Sequence, residues 1–424
     1  MSELSRNAVY VGLTKRYFHI AYDRLRHLGL IYAGFAIVAI IGITIGHWLP
    51  PGKHAQGPRL NHRLLSWDGG WYRNIAEHGY QWNPRIGVAF EHFQNVAFFP
   101  LYPMIERLLM IVLGTSGWPT TIIPGLIFGL ASISAFDHLA RQLEPDPQTA
   151  RRATLIYAFW PAGCFYLMGY PTGLINLCAI ASLAALVRGR TWRAAIWCGL
   201  GTAAAPTMVF FAAGLCLDRG VTWLQTKRDF RKIPELLGFG LASVWGLIGF
   251  MAYLGWKFGD PLAFVAAQAA WSRPETFKFH LALMVFPPWY GLPFYQTLRI
   301  LMHPSIAKIL HEKFLYALLI FLQKDIDIII VTIGFFSLIY TKNLKLIRKL
   351  KYISSFLLFG YLWEFCSVLN FSFMNGVRLL FISFLMIFFL AKYLKLHYFN
   401  IFLLFTILIL ICFISFDLAG YLIL

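Results

Sequence analysis

The chain has 424 residues, of which 58% are hydrophobic and 13% charged, with a mean hydropathy of +0.62; a soluble domain carries about 25% charged residues. So few charges cannot cover a soluble surface of this size, and only lipid solvates apolar runs that recur from Leu28 to the C-terminus. The formal net charge of +18 does not mark a nucleic-acid binder, because the basic residues form no stripe interleaved with exposed aromatics; Lys and Arg in loops that face anionic membrane lipids account for it.

Polar and basic residues run to His27 before the first apolar run, and no small-residue cleavage site follows, so that run is expected to be a retained span rather than a signal peptide. Eleven spans are expected, at about 28–49, 119–140, 153–168, 172–187, 192–204, 206–217, 235–256, 326–341, 352–370, 377–394 and 399–422. Four basic clusters orient them: Lys15, Arg16, Arg24 and Arg26; Arg188, Arg190 and Arg193; Lys227, Arg228, Arg231 and Lys232; and Lys342, Lys345, Arg348, Lys349 and Lys351. Placing all four in the cytoplasm gives one topology, with a cytoplasmic N-terminus. It requires 192–204 and 206–217 to be a short pair turning near Pro206 on the outer side. It also requires 98–114, which contains Glu106 and Arg107, to be a helix on the outer surface. Two extracytoplasmic segments result, 50–118 and about 257–325, within one domain spanning 1–424. The six cysteines all fall in apolar runs without metal-ligand spacing and read as packing residues.

Chemistry concentrates in RLLSWDGGWYRNIAEHGY, Arg63 to Tyr80. Asp68 stands between Trp67 and Gly69-Gly70, and the glycines allow a tight turn or the close approach of a substrate. Trp71 to His78 can form an amphipathic helix, with Asp68 near its N-terminus. Helix capping explains many such aspartates. The other reading is a carboxylate beside aromatic platforms, Trp67, Trp71 and Tyr72, at which sugar rings stack and a hydroxyl loses its proton. Glu77 and His78 share the helix. A second stretch, NVAFFPLYPMIERLL from Asn95 to Leu109, places Phe98, Phe99 and Tyr102 beside Pro100 and Pro103, which reads as an interfacial helix start or simply as an aromatic belt.

WDGGWYRNIAEHGY followed by AFFPLYP resembles the signature of the PIG-V family, the GPI mannosyltransferase II-like proteins and their bacterial relatives. FGDPLAFVAAQAAWSR, Phe258 to Arg273, and NGVRLLF, Asn375 to Phe381, are similar to further stretches of bacterial members. The resemblance implies an all-α polytopic membrane protein, a GT-C-like bundle of about 11 transmembrane helices whose first outer loop carries juxtamembrane helices. It also implies inverting transfer of a sugar, usually mannose, from a polyprenyl-phosphate donor to a lipid-linked or glycan acceptor at the extracytoplasmic face, of a bacterial plasma (inner) membrane by the closer similarity to bacterial members, or of the ER membrane in a eukaryote. Asp68 then matches the general base. Arg378 suits the leaving phosphate, since guanidinium offers it a planar fork, although snorkelling at a span end explains the same residue. Lys257 and Arg273 are further cations for that role, and Trp67, Trp71, Tyr72, Glu77, His78 and Tyr102 complete the expected substrate-binding set. No cofactor is expected. No metal is expected either, as no DxD pair stands near Asp68.

The chain departs from the family pattern at two places. Tyr170-Pro171-Thr172 stands where relatives have a carboxylate third, and Ala205-Pro206 stands where they often have Arg-Pro. A degenerate member that binds or moves a lipid-linked sugar is therefore an alternative. A secondary transporter fits less well, because the spans show no repeated halves and the ionisable residues cluster in outer loops.

Overall fold

A computed structural model describes residues 3–50, 68–84, 92–225, 230–268, 270 and 380–420. Among them every regular element is a helix. In chain order these are α1 (Glu3–Trp48), α2 (Asp68–His78), α3 (Leu101–Leu113), α4 (Trp118–Leu143), α5 (Pro147–Ala158), α6 (Thr172–Val187), α7 (Thr191–Thr202), α8 (Met208–Gln225), α9 (Ile233–Ser243), α10 (Trp245–Phe258), α11 (Ala263–Gln268), α12 (Leu380–Tyr393) and α13 (Leu396–Leu418), with 3-10 turns at Asn95–Ala97, Pro161–Leu167 and Phe230–Lys232. The expected spans 326–341 and 352–370 lie outside the described residues.

Among the described residues, three helices are long and apolar enough to cross a bilayer: Tyr22–Trp48, Pro119–Leu143 and Leu396–Leu418. Two bent pairs raise the number to five if each counts as one crossing. Large apolar side chains such as Ile37, Ile40, Leu404 and Leu408 point away from the protein, as surfaces solvated by lipid do.

Three expected boundaries change. The first span is the second half of one continuous 46-residue helix. The segment 153–168 is not one helix, because Pro161 forces Trp160 into an extended conformation (φ −62°, ψ 141°) and the chain continues as a 3-10 turn. The segment 235–256 bends by 67° at Val244 (φ −129°, ψ 17°). The Leu247 N–H freed there is taken by Thr202 Oγ1 at 3.1 Å.

Helix directions follow from which residues touch. Gly42 packs on Ile414, and Gly46 packs on Ser415 and Leu418, so α1 and α13 run parallel. Arg24 bonds Asp137 at 2.9 Å and Tyr32 bonds Leu130 O at 3.0 Å, so α1 and α4 run antiparallel. Gly173 abuts the Gly129 backbone and Arg188 meets His138, so α4 and α6 run parallel; only small residues let two backbones approach so closely. Phe388 packs on Phe136 and Lys392 on Glu144, so α12 shares the α4 direction.

The bundle thus has two distinct ends. One collects Arg24, Asp137, His138, Arg141, Glu144, Arg188 and Lys392. The other collects α2, α3, the 168–172 loop and the turn between α7 and α8, whose Ala203 O accepts from Leu101 N at 2.9 Å. α3 has 13 residues, about 20 Å of helix, which falls short of the roughly 30 Å hydrocarbon core.

Candidate active site

The two signature stretches fold as one unit at the second end. Trp71 stacks on Phe98 with ring centroids 5.7 Å apart. Tyr72 meets Phe98 and Tyr102 edge-on at 5.2 and 5.4 Å, and the Tyr80 hydroxyl donates to Phe98 O at 2.8 Å. Asn95 completes the join: its Nδ2 donates to Asn74 Oδ1 at 3.2 Å and Gly79 O at 3.1 Å, and its Oδ1 accepts from Gln81 N at 2.8 Å. Gln94 Oε1 accepts from Asn83 N at 2.8 Å. The GDPLAF stretch docks onto the same unit, since Asp260 caps the turn by accepting from Leu262 N at 2.9 Å and Phe264 packs on Phe99 at 5.4 Å.

Asp68 is the first residue of α2 and is half-buried. A carboxylate there faces the positive end of the helix dipole. Its backbone N–H donates to the Tyr170 hydroxyl at 3.2 Å, and Gly69 lies against the Met168 carbonyl, where a Cβ would come within 2.7 Å. The first glycine therefore serves close packing of α2 on the 168–170 loop, while Gly70 is exposed and remains open to the approach of a substrate.

The other expected site residues are distributed unevenly. Trp67, Arg273 and Arg378 lie outside the described residues. Trp71 is half-buried and Tyr72 buried. Glu77 is held by Arg73 Nε at 2.8 Å, and His78 is exposed at the far end of α2. Tyr102 is fully enclosed, and its hydroxyl donates to Thr121 O at 2.7 Å, which makes it a packing residue under α2 rather than an open face. Lys257 Nζ donates to Tyr80 O at 3.1 Å and lies over the Tyr253 and Phe258 rings. It is therefore tied just past the C-terminal end of α2, roughly 15 Å of helix away from Asp68.

Glu106 was not expected here. The sequence places it only within an outer-surface helix, and α3 turns its acid toward the protein. Met104, Leu108 and Ile111 point outward and Glu106 is 0% exposed. The polar side chain beside its carboxyl among the described residues is Thr121, which favours the charged form without forming a well-aligned hydrogen bond. Burial pushes the Glu106 carboxyl well above its ordinary value; Arg73 opposes the shift and Glu77 reinforces it. The legible signal is spacing: Glu106 follows Tyr102 by four residues and so shares its buried face. A carboxyl whose folded pKa is raised above its ordinary value of 4.5 binds more protons in the native than in the unfolded state, so the stability it contributes falls as pH rises above about 4.5. Glu106→Gln keeps the shape without that cost. The expected result is equal or higher thermal stability at pH 7 and a flatter stability profile between pH 5 and 7 (on the order of two pH units of the window); an unchanged slope would show that Glu106 is not the group responsible.

The departures from the family pattern fall at the same end. Thr172 is buried at the start of α6, two residues beyond the Tyr170 that touches Asp68. Ala205 is buried two residues beyond the Ala203 that accepts from Leu101. Among the described residues, no three His, Cys, Asp or Glu side chains gather as metal ligands.

The fold and this end together define a polytopic helical membrane protein whose motif-bearing loops converge around one acidic helix start. Residues 54–257 match the family model for mannosyltransferase (PIG-V), a little under half of the chain, and this segment carries Asp68, AFFPLYP and Lys257. No curated protein matches the chain. Among solved structures, the chain is similar to the oligosaccharyltransferase of Archaeoglobus fulgidus in its apo form, at 13% identity and a TM-score of 0.46, covering 91% of this chain and 56% of that one. It is also similar to the same archaeal enzyme, AglB, in complex with an inhibitory peptide and a dolichol-phosphate, at 13% identity and a TM-score of 0.41, covering 92% and 55%. The chain thus spans little more than half the length of these proteins, and the chemistry of its site rests on its own residues.

Proposed function

We propose that this chain is an inverting membrane glycosyltransferase of the mannosyltransferase type, moving a sugar from a polyprenyl-phosphate donor to a lipid-linked or glycan acceptor. The observation that carries the reading is the placement of Asp68. The signature stretches fold onto one another, and Asp68 is the half-buried first residue of α2, two residues before the exposed Gly70, with its backbone N–H on the Tyr170 hydroxyl. In a single displacement the acceptor hydroxyl attacks the anomeric carbon, Asp68 takes the hydroxyl proton, and the lipid phosphate leaves with its electron pair; no covalent enzyme intermediate is required. Aromatic faces around α2 suit sugar rings, and Arg378 is proposed for the phosphate charge. The test is incubation of the purified chain with labelled polyprenyl-phosphate mannose and a total membrane lipid extract. Label appearing on an acceptor supports the reading, and its persistent absence across a panel of sugars refutes it.

One observation favours a second reading, a degenerate member that binds the donor without turnover. Thr172 and Ala205, which replace an acid and a base of the family pattern, both lie buried at the Asp68 end. Donor binding without transfer in the same assay would select it.

The proposed side is extracytoplasmic, because Arg24, Arg26, Arg188 and Arg190 gather at the opposite end of the bundle and basic loops stay in the cytoplasm. In a background lacking the six native cysteines, Ser116→Cys is expected to react with an impermeant thiol reagent added to intact cells, and Arg190→Cys to react only after permeabilisation. Both positions are exposed. The reverse pattern would invert the topology.

A further inference from the structure

At the end of the bundle remote from Asp68, a single carboxylate organises an excess of guanidinium groups. Asp137 is 0% exposed. Arg24 Nε donates to its Oδ2 at 2.9 Å, and Arg141 Nε reaches both oxygens at 3.0 Å. Both arginines use Nε, so the Nη ends of the two forks make no hydrogen bond among the described residues, and Arg141 Nη2 is a buried donor without a partner. His27 Nε2, within electrostatic reach of Asp137, Arg141 and Arg151, is a second buried nitrogen without one. Arg188 lies against His138, whose ring is within electrostatic reach of Arg24 and Asp137.

The charges do not balance locally. Two guanidinium groups, from Arg24 and Arg141, share the one carboxylate of Asp137, and two more stand beside the neighbouring histidines, Arg151 within electrostatic reach of His27 and Arg188 against His138. Asp23 and Arg26 are exposed on α1 beside Arg24 and add one charge of each sign, while Glu144 pairs with Lys392 at 3.5 Å, Asp146 caps its own helix through Gln148 and Thr149, and Arg152 donates to Leu394 O. An ordinary cytoplasmic loop carries flexible cations in water. Here the forks are instead fixed by a buried acid and held in one geometry. That arrangement suits a tetrahedral oxyanion, which takes paired N–H donors and supplies the missing negative charge.

We propose that this cluster is a binding site for the phosphate of an anionic membrane lipid, separate from the Asp68 site. The lipid source follows from position. The cluster sits where α1 enters its membrane-length segment Tyr22–Trp48, and Tyr22, Leu25 and Leu30 beside it are exposed apolar side chains. They offer an acyl chain a surface leading away from the phosphate.

The test uses the full chain, delipidated in neutral detergent. Phosphatidylglycerol and phosphatidylcholine are titrated in mixed micelles, bound lipid is counted by native mass spectrometry, and inorganic phosphate serves as competitor. Phosphatidylglycerol is expected to bind about tenfold more tightly than phosphatidylcholine, and Arg141→Gln to remove about that preference, since a charge-assisted hydrogen bond of this kind carries roughly a factor of ten. Arg151→Gln, at an exposed position, is expected to reduce it severalfold and stands in if the Arg141 variant does not fold. Equal retention of the two lipids, or a preference unchanged in a folded arginine variant, overturns the proposal. Full displacement by millimolar inorganic phosphate would show a soluble phosphate site and overturn the lipid assignment.

Discussion

Replacing Asp68 with Asn is expected to give a folded, membrane-inserted protein that binds donor and scarcely transfers. Asn has almost the shape of Asp, and its backbone N–H can still donate to the Tyr170 hydroxyl as the native one does at 3.2 Å. What disappears is a negative charge at the first residue of α2, worth about 0.3–1 kcal/mol against the helix dipole. That loss would lower the melting temperature slightly and leave the bundle intact. Chemistry suffers far more, because a neutral amide cannot take the acceptor proton, and removal of a general base costs on the order of 100- to 10,000-fold. Transfer of labelled mannose from polyprenyl phosphate, measured beside donor binding on the same preparation, separates the two effects. Substantial transfer by the Asn variant would remove Asp68 from the catalytic role. Loss of donor binding with retained folding would instead make it a substrate contact.

Much of this architecture was legible in the sequence, for reasons particular to membranes. Apolar runs and basic clusters are coarse signals, and they placed α1, α4, α6, α12 and α13 and set Arg24 and Arg188 at one common end. The join between the two signature stretches was also foreshadowed by their paired occurrence, and Trp71 on Phe98 and Asn74 with Asn95 explain it physically. What could not be read was orientation within short elements. α3 has both Glu106 and an apolar face, and in water the glutamate would point out. At a lipid boundary the apolar face points out, so Met104 and Leu108 are exposed and Glu106 is enclosed. Breaks were equally hidden where no proline marks them. The bend at Val244 depends on Thr202 capturing the Leu247 N–H, a contact between residues 45 positions apart. Tyr170 likewise reaches Asp68 across 102 positions, which local pattern cannot reveal.

The two glycines after Asp68 make opposite predictions. Gly69 is buried, and a Cβ there would stand 2.7 Å from the Met168 carbonyl oxygen and 3.7 Å from that of Gly169. Both obstacles are backbone, so no side-chain rotation relieves the first clash, and α2 must lift from the 168–170 loop. Overpacking of this kind costs about 1–3 kcal/mol. The movement also stretches the Asp68–Tyr170 hydrogen bond and displaces the carboxylate, and a shift of about 1 Å at a reacting group can cost roughly 100-fold in rate. Gly69→Ala is therefore expected to lower the melting temperature and nearly abolish transfer, even though alanine favours helix. Gly70 is exposed within the same helix, where alanine gains up to about 1 kcal/mol over glycine in helix propensity. Gly70→Ala is expected to hold or raise stability. If the substrate approaches α2 at this residue, transfer still falls, with a raised KM that reports lost access rather than lost fold. Thermal unfolding and transfer kinetics on both variants decide the matter. A stable, active Gly69→Ala protein would contradict the packing of α2 on the 168–170 loop, and a fully active Gly70→Ala protein would remove the substrate from that face of the helix.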